Sequence, residues 1–242
     1  MENSDSVFVV IPAYNEAEGI AVVIHSIRQV LVNPTIIVVD DGSEDTTASQ
    51  AANADARVVS LPFNCGYGVA LQTGLIKALR LGAQVVISRD ADGQHAPASL
   101  DALIRPVLEG NADLVLGSRY LPGSTSYRVP PLRRFVSRCM ALLLSAITRQ
   151  HFTDTTTGFQ CMNYNVLRQF AAFLDFPDTT PDADLILYAV LSGFRVREVP
   201  VTMHQDQGNT SMHGPFKSIF YVPKMVIAML STILLFVRTN RG

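Results

Sequence analysis

Short apolar runs alternate with helical patterns through the first half of the chain, and this alternation constrains the fold more than any other feature. Five apolar runs have the length of buried strands, and they occupy residues 7–11, 35–39, 57–60, 83–88 and 113–117. Helical spacing fills the intervals, at residues 17–31, 45–52, 68–81 and 98–108. Elements in this order form a mostly parallel sheet with right-handed crossovers. We therefore predict an α/β fold in which helices flank the sheet.

The second half of the chain has a different pattern. Residues 122–126 are rich in turn formers, and two prolines then open a predicted helix that runs to about residue 148. Further on, short strands are predicted at 159–162 and 195–201, with helices near 166–173 and 181–192. These elements extend the same α/β domain.

The C-terminal apolar stretch, residues 216–237, is broken by two lysines and a proline. Only residues 225–237 remain uninterrupted, which is too short for a membrane span of about 20 residues. We predict an amphipathic helix that lies in the membrane interface, and a helix docked on the core is the alternative. The predicted boundary separates a main domain, 1–214, from a membrane-surface tail, 215–242.

The basic side chains are concentrated in two segments, although the net charge is only −2. Residues 119–149 and 207–242 hold ten of the 19 lysines and arginines and no acidic residue. Both segments are also apolar, which is typical of contact with a membrane surface, and two ordinary amphipathic helices are the alternative. A nucleic-acid partner is not expected, because the segments lack interleaved aromatic residues and the acidic remainder would repel phosphate.

The cysteines and the N-terminal residues indicate the cellular compartment of the protein. Cys65, Cys139 and Cys161 show neither a disulfide framework nor metal-ligand spacing. The acidic N-terminus leads at once into the first predicted strand, without a secretory signal pattern. We therefore expect reduced thiols and a cytoplasmic protein that is peripheral on the inner face of the membrane.

Two carboxylates follow the fourth predicted strand, in the run Asp-Ala-Asp-Gly-Gln at residues 90–94. The carboxyl ends of strands meet in the crevice where open α/β sheets bind ligands. Paired carboxylates there favour a divalent cation, and such a cation often holds a diphosphate. A surface turn is the alternative, since Asp and Gly also favour turns.

Acidic residues also follow the first two strands. Glu16 ends the run at residues 12–16, and Asp40 and Asp41 open the run Asp-Asp-Gly-Ser. Such carboxylates can accept hydrogen bonds from a base and a ribose. The first turn lacks G-x-G-x-x-G, so an NAD-type fold is disfavoured. Acidic residues at the ends of three strands, the first, second and fourth, favour an enzyme that handles a nucleotide diphosphate.

Six short motifs are spaced along the chain between residues 7 and 215. They are Val-Ile-Pro-Ala-Tyr-Asn-Glu at 10–16, Val-Asp-Asp-Gly-Ser at 39–43, Asn-x-Gly-x-Gly at 64–68, Asp-x-Asp-Gly-Gln at 90–94, Gly-Ser-Arg at 117–119 and Thr-Gly-Phe at 157–159. Their order and spacing resemble family 2 glycosyltransferases, in particular the polyprenyl-phosphate branch that includes dolichol-phosphate mannose synthases. The resemblance implies the GT-A fold, a Rossmann-like mixed sheet flanked by helices.

The resemblance also implies roles for individual residues. Those expected around the nucleoside and on the glycine loop are Pro12, Tyr14, Glu16, Asp40, Asp41 and Gly68. Those expected to hold Mg²⁺ or Mn²⁺ on the diphosphate are Asp90, Asp92 and Gln94. Those expected to grip the acceptor phosphate are Arg119, Arg133, Arg134 and Ser137. Asp154 and Asp184 are expected on the sugar side, and the implied catalytic set is Asp92, Arg119, Asp154 and Asp184.

The implied reaction moves a hexose from a UDP- or GDP-sugar to a polyprenyl phosphate, with inversion at the anomeric carbon. A phosphate monoester has its second pKa near 6, so this acceptor is largely dianionic at neutral pH and scarcely needs a general base. Arginines can hold it by charge-assisted bidentate hydrogen bonds. His95 adjoins the cation motif, and we expect it to cap a helix or face solvent.

Three positions depart from the family's pattern. Tyr67 replaces a frequent basic residue between the two glycines of the third motif. Residues 205–211 lack an expected arginine, which weakens a contact to the leaving diphosphate or moves it to Lys217. Asp184 stands where a longer acid is common.

Two other functions remain open from the sequence. One is a family 2 transferase with a soluble or glycan acceptor, and the other is a catalytically silent nucleotide-binding subunit. Because many relatives carry fused membrane helices, a separate small membrane protein is a further candidate partner.

Overall fold

The computed structural model describes residues 7–125, 131–173 and 183–204, and also residues 226, 227, 229–234 and 236, with the side chains of residues 132 and 133 left out. Within these ranges, seven strands form one sheet: β1 Val7–Ala13, β2 Thr35–Asp40, β3 Arg57–Ser60, β4 Val85–Ser88, β5 Leu114–Ser118, β6 Gln160–Asn163 and β7 Val196–Pro200. The helices are α1 Ile20–Val30, α2 Thr47–Asn53, α3 Tyr67–Arg80, α4 Leu100–Leu108, α5 Pro131–Thr148, α6 Tyr164–Ala171 and α7 Ala183–Leu191. A single 3-10 turn, Pro97–Ser99, precedes α4.

The sheet has the strand order β3-β2-β1-β4-β6-β5-β7. All neighbouring pairs are parallel except those of β6, which is antiparallel to both β4 and β5. The predicted mixed α/β fold is therefore confirmed. The antiparallel strand is the part that local patterning did not show, because a four-residue apolar run has no direction of its own.

Helices cover both faces of the sheet, and alternate residues of β1 enter two separate cores. Phe8 and Val10 pack with α3, α5, α6 and α7, whereas Val9 and Ile11 pack with α1 and α4. Each such side chain is buried, and full burial of one contributes about 1.5–3 kcal/mol. Helix α3 lies close to the sheet at Gly74, where a Cβ would come within 2.3 Å of a Val10 methyl group. A glycine at this position therefore allows α3 to pack closely against β1.

The described residues of 226–236 are helical and have two faces. Met229 is buried and Ile233 packs against the core, whereas Ile227, Leu230 and Leu234 are exposed. No helix in the described ranges is long and apolar enough to cross a membrane. Lys217 and residues 205–214 lie outside the described residues, so the boundary at 214–215 stays a prediction.

Candidate active site

The carboxyl ends of β1, β2 and β4 lie next to one another at one edge of the sheet. Parallel pairing places Ala13 opposite Asp40 and Val10 opposite Ser88. The loops that leave these strands therefore start side by side. They carry the acidic residues that were predicted from the sequence, namely Glu16, Asp40, Asp41, Asp90 and Asp92.

The loop after β1 is hydrogen-bonded to the loop after β2. The Asn15 amide donates to Ser43 Oγ at 2.9 Å, and Asn15 Oδ1 accepts from the Glu44 amide at 2.9 Å. The Glu16 amide donates to Thr47 Oγ1 at 2.8 Å. Asn15 adopts φ 55°, a left-handed conformation that asparagine tolerates better than most residues. These bonds bring the first two sequence motifs together. Pro12 is buried within β1, and Tyr14 is half-buried just after it.

Asp41 supports the glycine loop before α3. Its two carboxylate oxygens accept hydrogen bonds from the amides of Cys65 and Gly66, at 2.8 and 2.9 Å. Gly66 has φ 102°, which suits glycine, and it is the N-cap of α3. Asp40 is also buried and accepts from the Ser43 amide at 3.1 Å. Both aspartates thus stabilise the loops around the crevice, and Asp41 fixes the loop that leads into α3, where Gly68 is buried in the first turn.

Asp90 is half-buried at the end of β4 and is contacted from two other segments. The Tyr67 hydroxyl donates to Asp90 Oδ1 at 2.8 Å. The backbone of Gly158 lies so close that a Cβ there would be 2.7 Å from both of these oxygens. The Gly158 carbonyl is itself held by the Ser88 hydroxyl at 3.0 Å. Tyr67, which stands where the family often has a basic residue, therefore donates its phenol hydroxyl to the first aspartate of the predicted cation motif.

Asp92 and Gln94 belong to a tight turn. Asp92 Oδ1 accepts from the Gln94 amide at 2.9 Å, and Gly93 between them has φ 72°. Within the described part of the chain, no three His, Cys, Asp or Glu side chains form a complete metal site. Mg²⁺ is commonly held by one or two carboxylates together with substrate phosphates. The oxygen donors of Asp90 and Asp92 fit a cation that protein and diphosphate bind jointly.

His95 does not face solvent as expected. Its ring is fully buried and stacks on Phe159, with the ring centroids 4.5 Å apart. Burial lowers the pKa of His95 to about 4, with Asp90 opposing that shift, so the ring is neutral at pH 7. The expectation failed because residues 94–96 pair with the segment after β7, where the His204 backbone amide donates to the Gln94 carbonyl at 2.8 Å.

A buried arginine that sequence reasoning missed directly precedes residues 90–94, the predicted cation loop. Arg89 is almost fully buried, and its Nη2 donates to the His95 carbonyl at 3.1 Å. Burial lowers the pKa of Arg89 to about 10, and the charges of Asp90 and Asp92 oppose that shift. The guanidinium therefore stays charged at neutral pH beside two acidic residues. Its position directly before Asp90 is the only signal for it in the sequence.

Arg119 and Asp154 form a buried ion pair. Arg119 Nε and Nη2 donate to the two carboxylate oxygens at 2.6 and 2.7 Å, and the Arg119 amide adds a bond of 3.0 Å. Nη2 also donates to Thr156 Oγ1 at 2.7 Å. Burial raises the pKa of Asp154, but the charge and hydrogen bonds of Arg119 outweigh it and hold the pKa below its usual value. Two residues expected in separate roles thus form one unit.

Glu198 on β7 holds the loop that presents Asp154, and sequence reasoning missed it. Its carboxylate accepts from the Asp154 amide at 2.7 Å, and from the Thr153 amide at 2.9 Å and hydroxyl at 3.0 Å. Burial raises the pKa of Glu198 in spite of these bonds. An acid in a short strand carries no local signal of this contact, which spans 44 residues of sequence.

The residues predicted for the acceptor lie on and around α5. Ser137 is buried, with its hydroxyl 3.4 Å from Thr156 Oγ1, next to the Arg119 pair. Arg134 is exposed, and its guanidinium lies 6.0 Å from the centre of the Tyr120 ring. The Arg119 guanidinium lies 5.6 Å from the same ring. Ser137, Arg134 and Arg119 are therefore neighbours, whereas the Arg133 side chain and Lys217 lie outside the described residues.

Asp184 is buried in the first turn of α7, and one of its carboxylate oxygens accepts from the Leu185 amide at 3.0 Å. The segment that precedes it, 174–182, lies outside the described residues. Its expected place on the sugar side stays a prediction.

Two relatives match the sequence of this chain along most of its length. It is 33% identical over 214 residues to a polyprenol monophosphomannose synthase of Mycolicibacterium smegmatis, covering 85% of this chain and 80% of the relative. It is 30% identical over 217 residues to an undecaprenyl-phosphate mannosyltransferase of Micrococcus luteus, covering 86% and 88%.

Solved structures share the fold. Glucosyl-3-phosphoglycerate synthase of Mycobacterium tuberculosis, in complex with phosphoglyceric acid, superposes with a TM-score of 0.72 at 23% identity, covering 95% of this chain and 80% of that one. The family profile described as glycosyl transferase family 2 matches residues 8–174, which hold all six motifs. With the acidic strand-end loops and the motifs in place, the chain belongs to glycosyl transferase family 2, among the relatives of the polyprenyl-phosphate sugar synthases.

Proposed function

We propose that this chain transfers one hexose from a UDP- or GDP-sugar to a polyprenyl phosphate, at the cytoplasmic face of a membrane and with Mg²⁺ or Mn²⁺. The observation that carries the proposal is the position of the Asp90–Gln94 loop, which shares an edge of the sheet with two acidic loops suited to a nucleotide. The names of the relatives support a polyprenyl phosphate acceptor.

In the donor site, Tyr14, Glu16 and Asp40 would contact the nucleoside. The diphosphate would lie toward the N-terminus of α3, because the positive end of a helix dipole favours anions. Asp90, Asp92 and Gln94 would hold the divalent cation, which when bound neutralises charge on the departing diphosphate. Glucosyl-3-phosphoglycerate synthase of Mycobacterium tuberculosis, which shares the fold, has been solved in complex with Mn²⁺ and uridine diphosphate, and this supports a divalent cation and a nucleotide diphosphate as ligands.

In the acceptor site, the arginines of α5 would hold the lipid phosphate. Arg134 is exposed near the Arg119–Asp154 pair, and Arg133 precedes it on the same helix. A largely dianionic phosphate supplies its own electron pair, so these residues need only orient it and keep it charged. Attack on the anomeric carbon in one displacement forms the new C–O bond as the bond to the diphosphate breaks, with inversion. Asp154 and Asp184 are assigned to the sugar side.

The exposed face of α5 would lie on the membrane. Phe135 and Leu142 are 65% and 71% exposed, and Arg134 and Arg138 lie exposed between and beside them. Apolar side chains with arginines and no acid on the helix suit an anionic lipid surface. The exposed Ile227, Leu230 and Leu234 of the C-terminal helix would add to this contact.

The test incubates the purified chain with a short polyprenyl phosphate, Mg²⁺ or Mn²⁺, and a panel of UDP- and GDP-sugars. The lipid is read by mass spectrometry, with Asp92→Asn as the matched inactive variant. A glycosylated lipid from the parent alone supports the proposal and names the donor. Nucleotide diphosphate release without a lipid product would instead support a soluble or glycan acceptor. No turnover, even when native membranes are added to supply a partner protein, would support a silent nucleotide-binding subunit.

A further inference from the structure

Tyr67 and Asp90 join the nucleotide side of the crevice to the cation loop. The two residues are 23 positions apart, and the phenol donates to Asp90 Oδ1 at 2.8 Å. The other carboxylate oxygen, Oδ2, lies 4.0 Å from the neutral ring of His95. One oxygen of the first predicted cation ligand is thus oriented by a protein donor.

Backbone contacts next to Tyr67 fix the position of its phenol. Tyr67 is the first residue of α3, and the two residues before it, Cys65 and Gly66, donate their amides to Asp41. Asp41 in turn is anchored by its own amide, which donates to the Ala13 carbonyl at 2.8 Å. The position of the hydroxyl therefore follows from β1 and β2 through Asp41.

The backbone of Gly158 packs against the hydrogen bond between Tyr67 and Asp90. A Cβ at this residue would lie 2.7 Å from the Tyr67 hydroxyl and from Asp90 Oδ1, and 3.1 Å from Oδ2. Its φ is not in the left-handed region, so the backbone itself accepts a side chain and only the space does not. The glycine of the Thr-Gly-Phe motif is thus required by the hydrogen bond that it covers.

We propose that Tyr67 is a positioning residue of the cation site, whose hydroxyl orients the Asp90 carboxylate for Mg²⁺ or Mn²⁺; this rests on the metal-dependent reaction proposed above. A hydrogen bond to a ligating carboxylate fixes its orientation before the ion arrives, and loss of such a bond commonly weakens metal binding by about 10–100-fold. The substitution of a frequent basic residue by tyrosine therefore supplies a neutral donor that does not repel the cation.

The test measures Mn²⁺ binding directly, by electron paramagnetic resonance of the free ion, with the purified chain alone and with UDP or GDP added. Tyr67→Phe keeps the ring and removes the hydroxyl, and we expect its Mn²⁺ dissociation constant to rise about tenfold. Gly158→Ala keeps both side chains and pushes them apart, and we expect a similar rise. Tyr164→Phe, at the start of α6, is the matched control and should bind as the parent does.

Urea unfolding without metal separates positioning from a general structural role, since Tyr67→Phe should unfold with the parent's midpoint. A dissociation constant for Tyr67→Phe within about twofold of the parent's would overturn the inference, as would equal weakening in Tyr164→Phe. A parent that binds no Mn²⁺ with either nucleotide would overturn both this inference and the metal-dependent reaction. Normal Mn²⁺ effects without any lipid product would leave this inference standing and remove the proposed acceptor.

Discussion

Arg119 and Asp154 form a bidentate ion pair across 35 residues of sequence, with N–O distances of 2.6 and 2.7 Å and almost no solvent exposure. Strand β5 ends at Ser118, directly before Arg119, and Asp154 lies in the polar loop after α5. The ion pair therefore connects the C-terminal end of β5 to the loop that leads to the Thr-Gly-Phe motif. Its burial makes its charge balance important to the fold as well as to the site.

Asp154→Asn should lower the free energy of unfolding by about 3–5 kcal/mol, because it leaves a buried guanidinium without its counter-charge. Urea denaturation followed by circular dichroism measures this change. The control is Asp101→Asn, which breaks the exposed pair with Arg105 and should cost no more than about 0.5 kcal/mol. Equal costs for the two variants would contradict the assignment of a buried, tightly coupled pair.

The same pair predicts the sign of a pH dependence. The pKa of Asp154 lies below its usual value of 3.8, with burial opposing the larger combined effect of Arg119 and the hydrogen bonds. A carboxyl whose pKa is depressed on folding stabilises the protein above its unfolded pKa, and loses this contribution as pH falls through the folded pKa. The difference in unfolding free energy between the parent and Asp154→Asn should therefore shrink below about pH 4. A difference that stays constant on acidification would argue against the depressed pKa.

Glu198→Ala should destabilise the chain by about 2 kcal/mol, because it leaves the part-buried donors of Thr153 and the amide of the buried Asp154 without their acceptor. Because Glu198 acts on the loop that presents Asp154, the double variant with Asp154→Asn should cost less than the sum of the single variants, by about 0.5–3 kcal/mol. Urea unfolding of the four proteins gives this coupling. Glu109→Ala, at an exposed acid, is the control, and additive costs would show that Glu198 and Asp154 act independently.

Arg138→Glu should weaken binding to vesicles that contain phosphatidylglycerol by about 30-fold. Each unit of charge near an anionic surface contributes about 1 kcal/mol, and the substitution changes the charge by two units, so it costs about 2 kcal/mol. Sedimentation with vesicles measures it, and neutral phosphatidylcholine vesicles should show little difference. Arg80→Glu, at an exposed arginine in the last turn of α3, is the matched control. A loss of the same size in both variants would indicate a general charge effect and not a membrane face on α5.

The three cysteines should differ in reactivity. Cys161 is fully buried in β6, and burial raises the pKa of its thiol well above the usual value. Cys65 and Cys139 are partly exposed. Titration of the native chain with a thiol reagent should modify two cysteines rapidly and the third only after denaturant is added. The parent and Cys161→Ala should therefore show the same number of rapidly modified thiols. A lower number in the variant would contradict this prediction.

Much of the fold could be predicted because its elements are marked by local periodicity. The apolar runs located β1 to β5 within about two residues. Four of these strands, β1, β2, β4 and β5, are buried on both faces and are therefore apolar at most positions, whereas the edge strand β3 is apolar only at its two central residues. Helix α1 begins at Ile20 and not at residue 17, because residues 15–17 hydrogen-bond to the second loop instead of starting the helix. Such competition from a distant loop has no local signature.

The chain's sequence by itself determined the alternation of strands and helices, the acidic loops at the strand ends and the family, because each is written in residues close together along the chain. Tertiary structure alone decided that β6 runs antiparallel between β4 and β5, that His95 is buried on Phe159, and that Tyr67 contacts Asp90. It also decided that Arg119 is paired with Asp154 and that Glu198 holds their loop. The physical reason is that these contacts join residues 23 to 78 positions apart in the sequence, so their geometry depends on how whole elements pack and not on any local pattern.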